Sequence, residues 1–189
     1  MPRSTRARGV ELEEIILVDE QDREVGFAEK LAAHRDGGLL HRAFSIVLFD
    51  PGGDVLLQKR AAAKYHFGGL WTNACCGHPR RGEALEDAAH RRLREELGVA
   101  SALRRVFALI YTAEDPGSGL TEREFDHVFV GVLTEVPQPD PAEIDGLRWI
   151  RGDELVRDVA RHPEHYTPWF AELLERLPEL EAALRAEPA

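Results

Sequence analysis

The chain has 189 residues, 43% hydrophobic and 31% charged, which suits one soluble domain with a sizeable core. Its net charge of -10 argues against a nucleic-acid partner, because the phosphate backbone selects basic surfaces. The two Cys are adjacent, at 75 and 76, a spacing that does not suit a disulfide, so a reducing, cytoplasmic compartment is expected.

The start of the chain, MPRSTRARGV, is basic but has no apolar stretch of signal-peptide type. No apolar run reaches the length of a membrane span, so no membrane partner is expected. Residues 1–10 are expected to be a disordered tail and 11–189 a single domain, monomeric by default. Glu14–Asp19 reads as a strand, Asp19–Asp22 as a turn and Glu24–Glu29 as the returning strand. Gly37-Gly38 breaks any helix over Lys30–Leu40, which is expected to be a loop. His41–Asp50 is a strand, Pro51-Gly52-Gly53-Asp54 a hairpin turn and Val55–Arg60 the partner strand.

Leu70–Val99 then reads as a loop of reactive side chains leading into a charged helix. Leu85, Ala89, Leu93 and Leu97 recur four apart, giving the helix one apolar stripe. Gly98 reads as its stop, and Glu83 and Asp87 suit the positive end of its dipole. Arg91, Arg92, Glu95 and Glu96 lie on the opposite face, and the chemistry is expected between this face and the loop. Strands follow at Ala102–Thr112 and Glu124–Thr134, separated by a loop at Glu114–Gly119. After a connector at Pro137–Pro141 comes a short strand, Leu147–Ile150. Asp153–Arg161 and Pro168–Arg185 read as helices, the second kinking or restarting at Pro178. The order of strands and helices gives an α/β (α+β) layered domain.

Four groups of side chains invite a chemical reading. His34, His41 and His78 are each, taken alone, ordinary core or surface residues. Glu122 and Glu124 share a face if they lie in a strand. Together the five would make a mixed nitrogen and oxygen site suited to zinc, manganese or iron(II), provided the loop after His34 folds back. Cys76 is either a small buried hydrophobe or, beside His78 and ahead of a helix N-terminus, a thiolate. Cys75 has the same local surroundings. Lys30, Arg60, Lys64 and Arg92 are either solvated or a cluster suited to phosphate. Trp71, Tyr111 and Trp169 read as core or as pocket wall. Trp169 follows Thr167-Pro168 at a helix start, where a ring can overhang a cavity.

From Gly77 the sequence GHPRRGEALEDAAHRRLREELGV resembles the Nudix box. Gly77, Glu83, Arg91, Leu93, Glu95, Glu96, Gly98 and Val99 fit, whereas Arg92 stands where that family has a Glu. The strings EKLAAHRDGGLLHRAFS, WTNACCGHP, YTAEDPGSG, EREFDHVF and YTPW are similar, in order and spacing, to type 1 isopentenyl diphosphate isomerases. That resemblance implies a Nudix-like mixed sheet layered between helices. It also implies interconversion of isopentenyl and dimethylallyl diphosphate in isoprenoid biosynthesis. A Nudix-type diphosphate hydrolase is the alternative, and an inactive Nudix-fold binding module is the rival of another class. The resemblance implies that His34, His41, His78, Glu122 and Glu124 hold one Mn2+ or Zn2+ per chain. Glu96 would help hold Mg2+ on the diphosphate, and Lys30, Arg60, Lys64 and Arg92 would bind the diphosphate itself. Cys76, directly before Gly77-His78-Pro79, would be the catalytic partner of Glu124. Tyr111 would assist Glu124, and Trp169 would face the hydrocarbon.

Overall fold

The computed structural model describes residues 13–186, so the expected tail over residues 1–10 lies outside the described residues. The strands are β1 Glu14–Val18, β2 Glu24–Glu29, β3 His41–Phe49, β4 Val55–Arg60, β5 Trp71–Thr72, β6 Cys75–Gly77, β7 Arg104–Glu114, β8 Thr121–Val132 and β9 Ile144–Ile150. The helices are α1 Lys30–Ala33, α2 Leu85–Leu97, α3 Gly152–Arg161, α4 Pro168–Glu175 and α5 Leu177–Arg185. No helix among the described residues is long and apolar enough to cross a membrane.

β3 is the hub of one mixed sheet. It runs antiparallel to β1, β4 and β6 and parallel to β8, which pairs antiparallel with β7, while β9 pairs with β4. Its sequence AFSIVLF is a nearly unbroken apolar run, as a strand covered on both faces requires. Phe44, Ile46 and Leu48 join Phe129 and the α2 stripe of Ala89, Leu93 and Leu97 in one core. Val47 and Phe49 point the other way and join Val128, Val130, Phe170, Leu173 and Leu177 in the second. The sheet is therefore layered between α2 and the C-terminal helices, the α+β arrangement expected from the sequence.

Four local details differ from the expectation. Lys30–Ala33 forms one helical turn, because the Glu29 carboxylate caps it, accepting the Leu31 and Ala32 N–H groups at 2.9 and 2.8 Å. The stretch from Leu70 to Gly77 is not all loop. β5 and β6 lie within it, and at two and three residues they are too short to show periodicity. β8 begins at Thr121, which places Glu122 inside the strand. The last helix breaks at Arg176, two residues before the expected restart at Pro178, which sits in the first turn of α5, where a missing N–H costs little.

Gly98 ends α2 as expected, at φ +65°, and a Cβ there would lie 3.1 Å from the Gln138 carbonyl oxygen. Gly98→Ala should cost about 1–2 kcal/mol, the left-handed penalty of an L-residue. Urea denaturation should show a lower midpoint with an unchanged slope.

Candidate active site

Register assembles the site. On the parallel pair β3 and β8, His41 lies opposite Glu124, and on β7 and β8 Tyr111 lies opposite the same residue. Glu122, Glu124 and Asp126 alternate along β8 and so share one face. His34 follows α1, and the loop after it returns through Gly37-Gly38 to deliver His41 at the start of β3. His78 arrives directly after β6. The expected convergence of three distant segments is thus met.

His34, His41, His78, Glu122 and Glu124 are all buried, and one ligand atom from each lies within 4.8 Å of every other. His34 Nε2 is 2.7 Å from Glu122 Oε2, and His78 Nε2 is 2.9 Å from Glu124 Oε1. His41 Nε2 stands 3.2 Å from His78 Nε2 and 3.5 Å from Glu124 Oε1. The far sides of two rings are already used. His34 Nδ1 donates to the Lys30 carbonyl at 2.6 Å and His41 Nδ1 to the Leu39 carbonyl at 2.7 Å. With Nδ1–H so engaged, the neutral rings would offer their Nε2 lone pairs inward, beside carboxylates that a cation would balance. Three imidazoles and two carboxylates suit a divalent metal.

The electrostatics agree. Burial pushes the His78 imidazole down to about 4, so it stays neutral and free to ligate. Burial also disfavours charge on Glu122, but His34 and His66 outweigh it and hold the carboxyl well below its ordinary range. For Glu124, burial and the Glu122 charge raise the pKa, while His41 and His78 outweigh them and leave it lowered. Tyr111 donates to Glu124 Oε2 at 2.5 Å, and burial raises its phenol pKa well above 10. Asp126 is fully buried, and neither carboxyl oxygen has a hydrogen-bond partner among the described residues. Burial, then the charge of Glu124, pushes its pKa well up.

The adjacent cysteines part company because neighbours on a strand face opposite sides. Cys75 is buried in the core beneath α2, whereas Cys76 lines the cleft with Tyr111, Glu124 and Trp169. Cys76 Sγ lies 3.1 Å from Asn73 Nδ2 and 3.6 Å from Ser45 Oγ. Of the two readings of Cys76, this setting favours the protonated thiol over the thiolate. Cys76 lies in a strand rather than a loop, and burial followed by the nearby Asp126 pushes its pKa up to about 12. Trp169 stacks on Tyr111 with ring centroids 5.9 Å apart and packs edge-on against Phe67 at 5.2 Å. Trp71 does not line the cleft; Arg148 lies over its ring.

Lys30, Arg60, Lys64 and Arg92 all line the same cleft. Carboxylates hold three of them. Lys30 pairs with Glu13 at 3.0 Å, Lys64 with Glu143, and Arg92 with Glu95 at 2.8 Å, with Glu143 at 3.3 Å and with Glu96. Arg60 instead donates to the carbonyls of His66 and Phe67, both at 3.1 Å. The lining holds four cations against five carboxylates, Glu13, Glu96, Glu122, Glu124 and Glu143. An anionic ligand therefore gains from arriving with a divalent cation of its own.

Comparison with known proteins fits this geometry. The NUDIX domain family matches residues 39–173. An isopentenyl-diphosphate Delta-isomerase of Nocardia farcinica is 54% identical over 84% of this chain and 91% of its own. One from Halorhodospira halophila is 46% identical over 88% of this chain and 96% of its own. This chain belongs to the isopentenyl-diphosphate Delta-isomerase family. Solved structures agree on the fold: the DR0079 protein of Deinococcus radiodurans superposes with a TM-score of 0.71 at 24% identity, covering 87% of this chain and 98% of its own. The MutT protein of Methanosarcina mazei Go1 gives 0.62 at 15% identity, covering 78% and 96%.

Several side chains of this isomerase-family cleft carried no signal in the sequence reading. Glu13, Gln58, Tyr65, His66 and Glu143 line it too. They are single polar residues on segments without a motif, and only the cleft brings them together. Among them Gln58 donates to Glu96 at 3.4 Å and leaves its own Oε1 unpartnered.

The donor cluster predicts about one divalent cation per chain. His41→Ala should lose most of it by elemental analysis. Chelation of the wild type should lower the melting temperature by about 10 °C, where free metal had stood about a thousandfold above its dissociation constant. Unchanged metal content in the mutant would remove His41 from the site.

Proposed function

We infer that this chain is an isopentenyl-diphosphate Delta-isomerase, moving the double bond of isopentenyl diphosphate to give dimethylallyl diphosphate. The observation that carries the reading is the meeting, in one cleft, of Cys76, Glu124 and a Trp face with a cluster of bases. Diphosphate hydrolysis has no use for a half-buried thiol beside an indole. Isomerisation of an alkene does.

An unactivated alkene is a poor base, and protonating it produces a tertiary carbocation. Cys76 and Glu124 act as acid and base on opposite faces of the hydrocarbon: one adds a proton at the terminal carbon, the other removes one from the far side. No atom is lost, and the sum is a shifted double bond. The raised thiol pKa suits a Cys76 that carries its proton until the reaction calls for it. Tyr111 orients Glu124 through the hydrogen bond to Oε2. Trp169 offers a ring face whose quadrupole stabilises a cation without capturing it. His34, His41, His78, Glu122 and Glu124 would hold a Mn2+ or Zn2+ ion, whose chemistry is to fix Glu124 and tune its acidity. Glu96 would share Mg2+ with the diphosphate, and Lys30, Arg60, Lys64 and Arg92 would grip its oxygens. Arg92 occupies the box position where a hydrolase has a carboxylate, trading a metal-binding charge for a phosphate-binding one.

Two experiments test this reading. Cys76→Ala should lower turnover by about 10²–10⁴-fold, the usual worth of a positioned acid or base. Cys75→Ala, altered on the far side of the sheet, should leave it near wild type, and equal losses in two folded variants would sink the assignment. In heavy water with Mg2+, isopentenyl diphosphate should give dimethylallyl diphosphate carrying deuterium, with no phosphate released. Phosphate release without deuterium uptake would mark a hydrolase.

A further inference from the structure

The two metal-facing carboxylates are built alike. Glu124 turns Oε1 into the donor cluster, 2.9 Å from His78, and gives Oε2 to the Tyr111 hydroxyl. Glu122 turns Oε2 inward, 2.7 Å from His34, and its Oε1 is held by His66 Nε2. His66 is buried, its ring 5.6 Å from that of His34, and its Nδ1 has no partner among the described residues. We propose that His66 is a positioning residue: its Nε2–H donates to the outer oxygen of Glu122 and so presents the inner oxygen alone to the metal.

The loop carrying His66 is built for fixity. Arg60 N–H donates to the Leu70 carbonyl at 2.9 Å and Gly69 N–H to the Arg60 carbonyl at 3.0 Å, closing the loop at its base. Phe67 adopts φ +49°, a left-handed conformation that non-glycine residues rarely take. Its N–H is taken by Asp115 Oδ2 at 3.2 Å. At Gly68 a Cβ would come within 2.8 Å of the Ala62 carbonyl oxygen, so only glycine allows the chain to pass. The Arg60 guanidinium bonds the carbonyls of His66 and Phe67 from inside. A loop held by this many constraints aims one imidazole at one oxygen. A carboxylate with both oxygens free would swing, and a metal site pays for that in affinity.

This inference rests on the metal reading of the five-residue cluster and is tested without substrate. Competition with a chromophoric chelator gives the Zn2+ dissociation constant of the purified chain. His66→Phe, with a ring but no donor, should weaken Zn2+ binding by about 10–100-fold, the usual worth of an outer hydrogen-bond partner. His66→Gln, whose amide N–H can reach the same oxygen, should recover most of that loss. Should the Phe variant not fold by circular dichroism, His66→Asn, polar but one methylene shorter than Gln, takes its place in the same comparison. Zn2+ binding unchanged without the donor would overturn the proposal. So would a Gln variant no better than Phe or Asn, which would make His66 a ligand or a packing residue, and so would a wild type that does not bind Zn2+. A wild type that binds Zn2+ but does not isomerise its substrate would instead remove the isomerase reading and leave this one standing.

Discussion

The parallel pairing of β3 with β8 is the constraint on which everything else rests. It sets His41 against Glu124, while the neighbouring pairings set Tyr111 against Glu124 and Ser45 against Cys76. Side chains alternate with period two, so a slip of one residue would reverse every face. Glu122 and Glu124 would then leave the cleft for the face that carries exposed Arg123 and half-buried Phe125, and Phe129 would leave the core under α2. The fold prevents this with its own hydrophobic packing. Val128 and Val130 continue the face of Glu124 and are buried against the C-terminal helices, each worth about 1.5–3 kcal/mol of burial. The apolar half of that face thus holds the polar half in register.

The long elements were legible in the sequence because each buries a wide apolar surface. The β3–β4 hairpin and α2 show it in unbroken or four-spaced apolar runs, and Gly98 marks a stop that left-handed backbone demands. The convergence of His34 with His41 was legible only as a folding-back of the loop that the family resemblance implied, because Gly37-Gly38 makes it a property of the returning chain rather than of any periodicity. β5 and β6 are too short to carry a pattern, so Cys75 and Cys76 read alike until the strand put them on opposite sides. His66 and Glu143 stand on segments whose only signal is the cavity they share. The choice between thiol and thiolate at Cys76 stayed open in the sequence for a similar reason: only the strand placement beside Asp126 decides for the protonated thiol.

Charge in the cleft is arranged in layers. At the floor, burial disfavours charge on Glu122 and Glu124, and the facing imidazoles outweigh it and lower both pKa values. Beside them Asp126 has no such partner, and its pKa rises instead. The result is a graded set of acids within a few residues of one strand, each set by what faces it rather than by its type. At the mouth, the bases are paired with Glu13 and Glu143, which are only partly buried, and with Glu96, which is buried.

That pairing at the mouth decides which anions are admitted. Lys30, Lys64 and Arg92 are already engaged by Glu13, Glu143 and Glu96. A bare oxyanion, such as the inorganic phosphate abundant in any cell, meets carboxylates before it meets an available base and gains little by entering. A diphosphate that came with a divalent cation would bring the counter-charge that those carboxylates can accept and would leave the bases free for its oxygens. The acidic rim would therefore select against bare oxyanions, with the accompanying cation as the credential.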